Sequence, residues 1–516
     1  MSLQGRLFSR QLLFVYARTR PASTSVSNDY IQTSRERQWA TPRISLHSPD
    51  CRTQAARYTV LDSPLGSGNM LRHVVVIHYH ELWLKGRNRN FFLGKFLLAL
   101  RRAMADLPIL RIRQPGDRVV IEFGEDAPLQ TVIQRLERAL GVAYFAVARS
   151  IPRRETGNLE ALSEAAWEEV APLEFSSFAV RAKRSDKSFP HPVDEIEKFV
   201  GRYLLEKLRA AGRPVRVQLD DPEITCRIEI TPGPMLIYAR RIPGTGGLPA
   251  NTTGRMVCLL SGGFDSAVAA YKMMRRGAHV NFVHFWGGGA RPGESSVHVA
   301  RALVERLLPY QLTAKLLLVP FESIQRQIVS SAPEPYRLLL YRRMMLRIAE
   351  RFARRNHAQA IIAGDSLGQV ASQTLQNMVA VGAASQMPVF RPLAGDDKQE
   401  ILALARRIGT YDISAEPFHD CCPLFMPRSP ALYASAAELD EAEASLDVGE
   451  LTRRAISDAT LEKYQYIGGK IERTETATEQ DSATGRTGPS SRPAGLNGPI
   501  CETALLAKSE AEQKSS

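Results

Sequence analysis

From Met256 the chain reads Met-Val-Cys-Leu-Leu, then Ser261-Gly262-Gly263-Phe264-Asp265-Ser266, then an amphipathic run through Arg276. Five mostly apolar residues entering a glycine turn and leaving as a helix describe a buried parallel strand, a tight loop and a helix N-terminus. Two glycines let the backbone come close to a polyanion. Ser261, Ser266 and the unpaired N–H groups of the new helix are the donors such a group needs. No Gly-Lys-Ser/Thr follows, so the spacing is not that of a Walker loop. The plain alternative is an ordinary glycine turn between a strand and a helix.

Around this stretch, strands are expected at 256–260, 279–285, 314–319 and 359–363. Helices are expected at 265–276, 295–307, 336–355, 368–378 and 397–408. That alternation predicts an α/β fold, a doubly wound parallel sheet with ligands at the carboxyl ends of its strands. Residues 256–435 form this domain, and from 436 to 516 a polar helix and a disordered tail are expected, the tail starting near Thr474. Ile242-Pro-Gly-Thr-Gly-Gly-Leu-Pro249, within a linker at 242–255, marks the boundary in front of it.

The 516 residues carry a net charge of +13, which suits a polyanionic partner such as nucleic acid. No apolar run reaches the length of a membrane span. Six cysteines make no disulfide framework in a chain this long, so a reducing, cytoplasmic setting is expected. Residues 1–69 hold many Arg and no Lys. They read as a disordered or non-native extension, either a transit peptide or a stretch ahead of the true start at Met70.

From residue 70 two smaller units are expected, at 70–140 and 141–241. The first has strands at 72–78, 118–123 and 143–148, a loop over Glu81–Asn90, and helices at 91–105 and 128–140. Lys85, Arg87 and Arg89 in the loop would contact phosphate, or be simply solvated. In the second, Ser177-Phe-Ala-Val-Arg181-Ala-Lys183-Arg184-Ser-Asp-Lys187 is an alternating strand ending in a basic tip, followed by a helix and further strands. This order resembles the THUMP module of tRNA-modifying enzymes. It would make Arg181, Lys183, Arg184 and Lys187 RNA contacts, and the unit before it a ferredoxin-like domain.

The glycine loop resembles the SGGxDS loop of the ATP pyrophosphatases (PP-loop proteins). Downstream, Val283-His284-Phe285, Leu340-Tyr-Arg342-Arg343, the eleven residues Gly364–Thr374, Arg391-Pro-Leu, Gly409-Thr-Tyr-Asp and Asp420-Cys421-Cys422 resemble the tRNA 4-thiouridine synthase (tRNA sulfurtransferase) family. The resemblance runs from about 72 to 435. It implies a tRNA uracil 4-sulfurtransferase using ATP and Mg²⁺, with tRNA as substrate, position 8 as target, and a cysteine desulfurase as persulfide donor. A homodimer stays open. It also implies ATP contacts at Leu259, Leu260, Ser261, Gly262, Gly263, Asp265, Ser266, His284, Phe285, Arg342, Gly364 and Gln373, with Asp265 as the Mg²⁺ ligand.

Each of these has a plainer reading. Asp265 would cap its helix, His284 would be structural at a strand end, and Arg342 with Arg343 would be solvated on a basic helix. The resemblance implies that a cysteine here carries the transferred sulfur, most simply Cys422, with Cys421 supporting or resolving and the choice between the two open; a buried structural pair or a metal site are the rivals. Cys258 is expected in the core. About eighty residues remain after Ala436, with Cys501 in no arginine-rich loop. The short form without a rhodanese-like domain is therefore expected, and a role in thiamine thiazole synthesis is in doubt. The competing function is a PP-loop ATP pyrophosphatase thiolating or amidating another tRNA base or substrate.

Overall fold

The computed structural model describes residues 72–476, apart from 80, 125, 153–157, 288–295, 418–424 and 426. The chain opens with β1 (Arg72–His78), a 3-10 segment (Glu81–Asn88), α1 (Arg89–Ala103), β2 (Ile109–Arg113), β3 (Arg118–Phe123), α2 (Leu129–Leu136) and β4 (Tyr144–Ile151). It continues with α3 (Leu159–Val170), β5 (Ser177–Arg184), α4 (Val193–Ala210), β6 (Arg216–Val217), β7 (Ile224–Ile230), β8 (Met235–Tyr238) and β9 (Ile242–Pro243). These strands form one sheet in the order β2-β3-β1-β4-β8-β7-β5-β6, with β9 beside β4.

The two N-terminal units are therefore not separate layers. Antiparallel pairing of β4 with β8 joins them, Arg149 opposite Ile237 and Ile151 opposite Met235. In β1, Val75 and Ile77 pack with α1 and α2, while Val74 and Val76 share the other face with Leu236 and Tyr238. Period-two alternation puts both sets under cover, so β1 is apolar throughout. The segment expected as a loop after β1 instead winds into 3-10 turns, because Leu82 is fully buried and anchors it.

The second sheet is built from β10 (Arg255–Leu259), α5 (Phe264–Arg275), β11 (His279–Trp286), α6 (Ser296–Gln311), β12 (Thr313–Pro320), α7 (Glu322–Ser331), α8 (Arg337–Arg355), β13 (Ala360–Ile362), α9 (Leu375–Gly382), β14 (Val389–Phe390), α10 (Lys398–Ile408) and α11 (Tyr411–Ala415). It is completed by α12 (Ala436–Ala442), α13 (Val448–Ser457), β15 (Thr460–Ile467) and β16 (Lys470–Thr476). The order is β14-β13-β10-β11-β12-β15-β16. From β14 to β12 the pairs are parallel, as the alternation required.

Two expectations fail here. The stretch from 436 to 476 is more than polar helix: α12 and α13 lead into an antiparallel hairpin that covers the β12 edge, while the tail expected beyond it lies, like residues 1–69, outside the described residues. Its strand β15 alternates buried and exposed residues, so it reads as polar although Tyr464 and Tyr466 are buried. Gly468 and Gly469, both at positive φ (53° and 77°), make its two-residue turn. The helix expected over 368–378 begins only at Leu375. Gly368 turns the chain at φ 75°, and the Thr374 side chain caps α9 by accepting from the Asn377 N–H.

The segment between the sheets is packed rather than loose. Leu248 N–H donates to the Arg275 carbonyl, and Thr252 and Thr253 N–H groups to that of Gly277. A Cβ on Gly247 would stand 2.1 Å from the Arg275 carbonyl oxygen. Among the described residues no helix is long and apolar enough to cross a membrane.

Candidate nucleotide and RNA site

Strand β10 lies between β11 and β13, where the order of parallel strands reverses direction. Carboxyl ends of neighbouring strands part at such a point and leave a crevice for a ligand. Ser261–Ser266 is the connection leaving β10 there. Its shape is held internally: the Ser261 N–H donates to Ser266 Oγ at 3.1 Å, and the Gly263 N–H to Ser261 Oγ at 3.3 Å. Gly263 is the N-cap of α5 and offers no side-chain cap, so the first-turn N–H groups keep their capacity for an anion. Behind the loop, Ala267, Val268, Ala269 and Ala270 are fully buried. Small side chains let α5 sit close on the sheet.

Asp265 does not cap this helix. Its Oδ1 meets Lys398 Nζ at 2.7 Å, and its Oδ2 accepts from Gln369 Nε2 at 3.1 Å. Lys398 opens α10, whose own cap is the Asp397–Glu400 capping box. In the sequence it looks like an ordinary helix start, and no local signal paired it with a residue so far away.

His284 is fully buried; Nδ1 lies 2.8 Å from the Leu260 carbonyl and Nε2 2.8 Å from Ser296 Oγ. A carbonyl only accepts, so Nδ1 carries the hydrogen and Nε2 accepts from the serine. The imidazole thus bolts the end of β10 to α6, the structural role weighed for it. Phe285 packs against Phe321 at 5.1 Å between centroids. Their side chains are core, and Leu260 with them, buried at the end of β10, whereas Leu259 is partly exposed.

Gly364 faces the loop itself. A Cβ there would stand 2.8 Å from the Ser266 nitrogen and 3.0 Å from the Asp265 carbonyl carbon. Glycine is needed because two backbones meet. Arg342 is not solvated: it donates to the Ser372 carbonyl (3.2 Å) and hydroxyl (3.0 Å) and pairs with Asp365. Arg343, the next residue on α8, is buried against Asp440, Glu443 and the Ala380 carbonyl. Gln373 is buried, and its Oε1 finds no partner among the described residues. Asp365, Gln369 and Arg391 lie in stretches quoted for the resemblance without a role and Lys398 outside them, yet all four bond to candidate site residues or to each other.

The basic residues divide. Arg87 and Lys187 are exposed, and Lys85 lies over the Phe92 ring at 5.0 Å. Arg89 donates to Tyr79 Oη at 3.1 Å. Arg181 donates to the Leu219 carbonyl at 2.8 Å. Arg184 holds the tip together through the Phe189 and His191 carbonyls. Lys183 pairs with Asp117, ahead of β3, at 2.5 Å. Cys421 and Cys422 lie outside the described residues. Cys258, as expected, is buried in β10, and Cys226 is likewise in the core. Burial pushes the Cys226 thiol up to about 12, so neither is a ready nucleophile.

This is the architecture of a PP-loop ATP pyrophosphatase domain behind a ferredoxin-like and THUMP module. Sequence models agree: the ThiI ferredoxin-like domain matches residues 74–146, the THUMP domain 158–239, and thiamine biosynthesis protein (ThiI) 251–448. A probable tRNA sulfurtransferase of Thermus thermophilus is 44% identical over 390 residues, 76% of this chain and 93% of its own. One of Moorella thermoacetica is 39% identical, over 75% and 96%. The crystal structure of a 4-thiouridine synthetase–RNA complex with bound ATP superposes with a TM-score of 0.68 at 29% identity, over 78% of this chain and 99% of that one. The chain belongs to the tRNA sulfurtransferase family.

Proposed function

We propose that this protein is the ATP-dependent tRNA uracil 4-sulfurtransferase that makes 4-thiouridine, at position 8, in the cytoplasm. The carrying observation is the Ser261–Ser266 loop, an uncapped helix N-terminus at the switch point of the sheet. The similarity to an ATP-bound 4-thiouridine synthetase supports its use for ATP.

In the first step uridine O4 attacks the α-phosphorus of ATP and pyrophosphate leaves. The loop N–H groups, with Ser261 and Ser266, receive the charge that grows on the leaving group. Backbone groups near Leu259, Leu260, His284 and Phe285 border the adenine, and Arg342 supplies a cationic fork. The lone Oε1 of buried Gln373 suits a ligand N–H, since a buried acceptor without a partner is costly.

Asp265 would hold Mg²⁺ on the pyrophosphate, and Lys398 stands ready to share that charge. Among the described residues no group of three His, Cys, Asp or Glu is arranged to hold a metal. A single carboxylate beside the loop fits an ion held mainly by phosphate oxygens, as Mg²⁺ commonly is. When bound, that ion neutralises the leaving group.

In the second step the terminal sulfur of a persulfide on Cys422 attacks C4, and AMP leaves with the former O4. Cys421 or an external thiol then attacks Cys422 Sγ, the bond to the uridine sulfur breaks to release 4-thiouridine, and Cys422 is left in a disulfide. An external dithiol reduces that disulfide, and a cysteine desulfurase passes the outer sulfur of its persulfide to the freed Cys422 thiolate. Lys85, Arg87, Arg89, Arg181, Lys183, Arg184 and Lys187 would contact the RNA, and exposed Arg87 and Lys187 are the best suited to meet phosphate.

Nucleoside mass spectrometry of tRNA treated with ATP–Mg²⁺ and a desulfurase–cysteine donor tests the reading. Wild type forms 4-thiouridine, and Cys422→Ala falls to background. ATP cleavage without thiolated uridine would assign the fold to another substrate.

A further inference from the structure

We infer that Asp365 and Arg391 are positioning residues for Arg342, and that the three side chains act as one unit in nucleotide binding. The inference rests on the proposed nucleotide role of Arg342. Asp365 follows β13 and is 5% exposed. One of its carboxylate oxygens accepts from Arg342 Nη2, the other from Arg391 Nε at 3.1 Å. Arg391, just after β14, is itself tied by Nη2 to the Met378 carbonyl at 3.2 Å. Arg342 comes from α8, and Ser372 holds its Nη1 through its carbonyl and hydroxyl.

Two cations around one carboxylate leave a net positive charge beside a loop built for anions. The clamp is also registered to that loop. Gly364, the residue before Asp365, abuts the Ser266 backbone so closely that no Cβ fits. A long arginine side chain loses much freedom when it grips a ligand, and a neighbour that fixes it beforehand removes that cost from binding.

The alternative is that Asp365 only balances charge. The two readings predict opposite signs. Removing a carboxylate beside two guanidiniums makes the site more positive, so a pure field effect tightens ATP binding. Loss of positioning weakens it.

The test measures ATP affinity of the full-length protein without RNA, for Arg342→Ala, Asp365→Asn and the double variant, with steady-state thiolation alongside. Arg342→Ala is expected to weaken ATP binding tenfold or more, and Asp365→Asn about tenfold. In the Arg342→Ala background Asp365→Asn adds less than about twofold, because the group it positions is gone. KM for ATP rises while kcat changes little. If Asp365→Asn does not fold, the same cycle with Arg391→Lys and Arg342→Ala/Arg391→Lys replaces it, with a smaller single loss and the same non-additivity. Tighter or unchanged binding in Asp365→Asn, or losses that multiply in the double variant, overturn the inference. An unchanged affinity in Arg342→Ala overturns the nucleotide role of Arg342 itself, and the inference falls with it.

Discussion

Gly364 shows how much one missing methyl group decides. Gly364→Ala would push a Cβ to within 2.8 Å of the Ser266 nitrogen, and both partners are backbone with little room to give. We expect a loss of about 1–3 kcal/mol in stability from such overpacking, read by urea denaturation, and at least tenfold weaker ATP binding. The resemblance had marked Gly364 as a ligand contact. In the structure its nearest neighbours are the backbones of Asp265 and Ser266 in the glycine loop. His284 is a similar case: its ring is consumed by Leu260 and Ser296, and only its position at a strand end was legible. Lys398 shows the converse. It pairs with Asp265 across 133 positions of sequence, and nothing local in Asp396-Asp397-Lys398 announces that.

At the scale of elements, α8 is the long basic helix on which Arg342 stands, and it is held by acids that the sequence reading had placed in a polar appendage. Arg343 is 2% exposed, and Glu443, just past α12, bonds both it and Arg347. Burial pushes the Glu443 carboxyl up, but hydrogen bonds from Arg347 and Arg343 outweigh it and hold it below the ordinary value. Glu443→Gln leaves Arg343 short of charge and is expected to cost about 2–4 kcal/mol, measured by denaturant titration.

The joint of the two N-terminal units has its own acid dependence. Burial raises the Asp117 carboxyl, yet hydrogen bonds from Lys183 and Arg118 hold it down at about 2. A carboxylate lowered in the folded state lends stability that is present above its unfolded value of about 4 and is lost as pH falls toward 2. Between those values the joint weakens. Asp117→Asn should flatten that part of a plot of urea midpoint against pH.

At the largest scale, the described residues form two sheets that share one apolar core, and the C-terminal hairpin is bonded to elements of both. β15 closes the edge of β12, while the Gly468 N–H in its turn donates to the Arg102 carbonyl at the end of α1. Arg276 after α5 reaches Glu81 with bonds of 2.8 and 3.0 Å. Truncation after Ser435 should therefore yield insoluble protein rather than a smaller enzyme, because it bares a parallel-sheet edge and the apolar side chains under α13. Soluble yield after expression checks this. With a net charge of +13, tRNA affinity should fall linearly on a log–log plot against salt. Arg87→Ala and Lys187→Ala should each lower that slope by roughly one, whereas Arg184→Ala should lower the melting temperature instead.

Local pattern was enough for the parallel strands, for the loop leaving β10 and for the helix behind it. Apolar runs, glycines and helical spacing are properties of neighbours in sequence, and they read the same before and after folding. The family resemblance lay in such runs too. Only the tertiary structure decided the rest: that β4 and β8 merge two modules into one sheet, that a polar hairpin completes the other, and which side chains around the loop are spent on each other. Pairing of strand edges and of buried charges joins residues far apart in the sequence. It depends on which surfaces meet, and no stretch of sequence carries both halves of that contact.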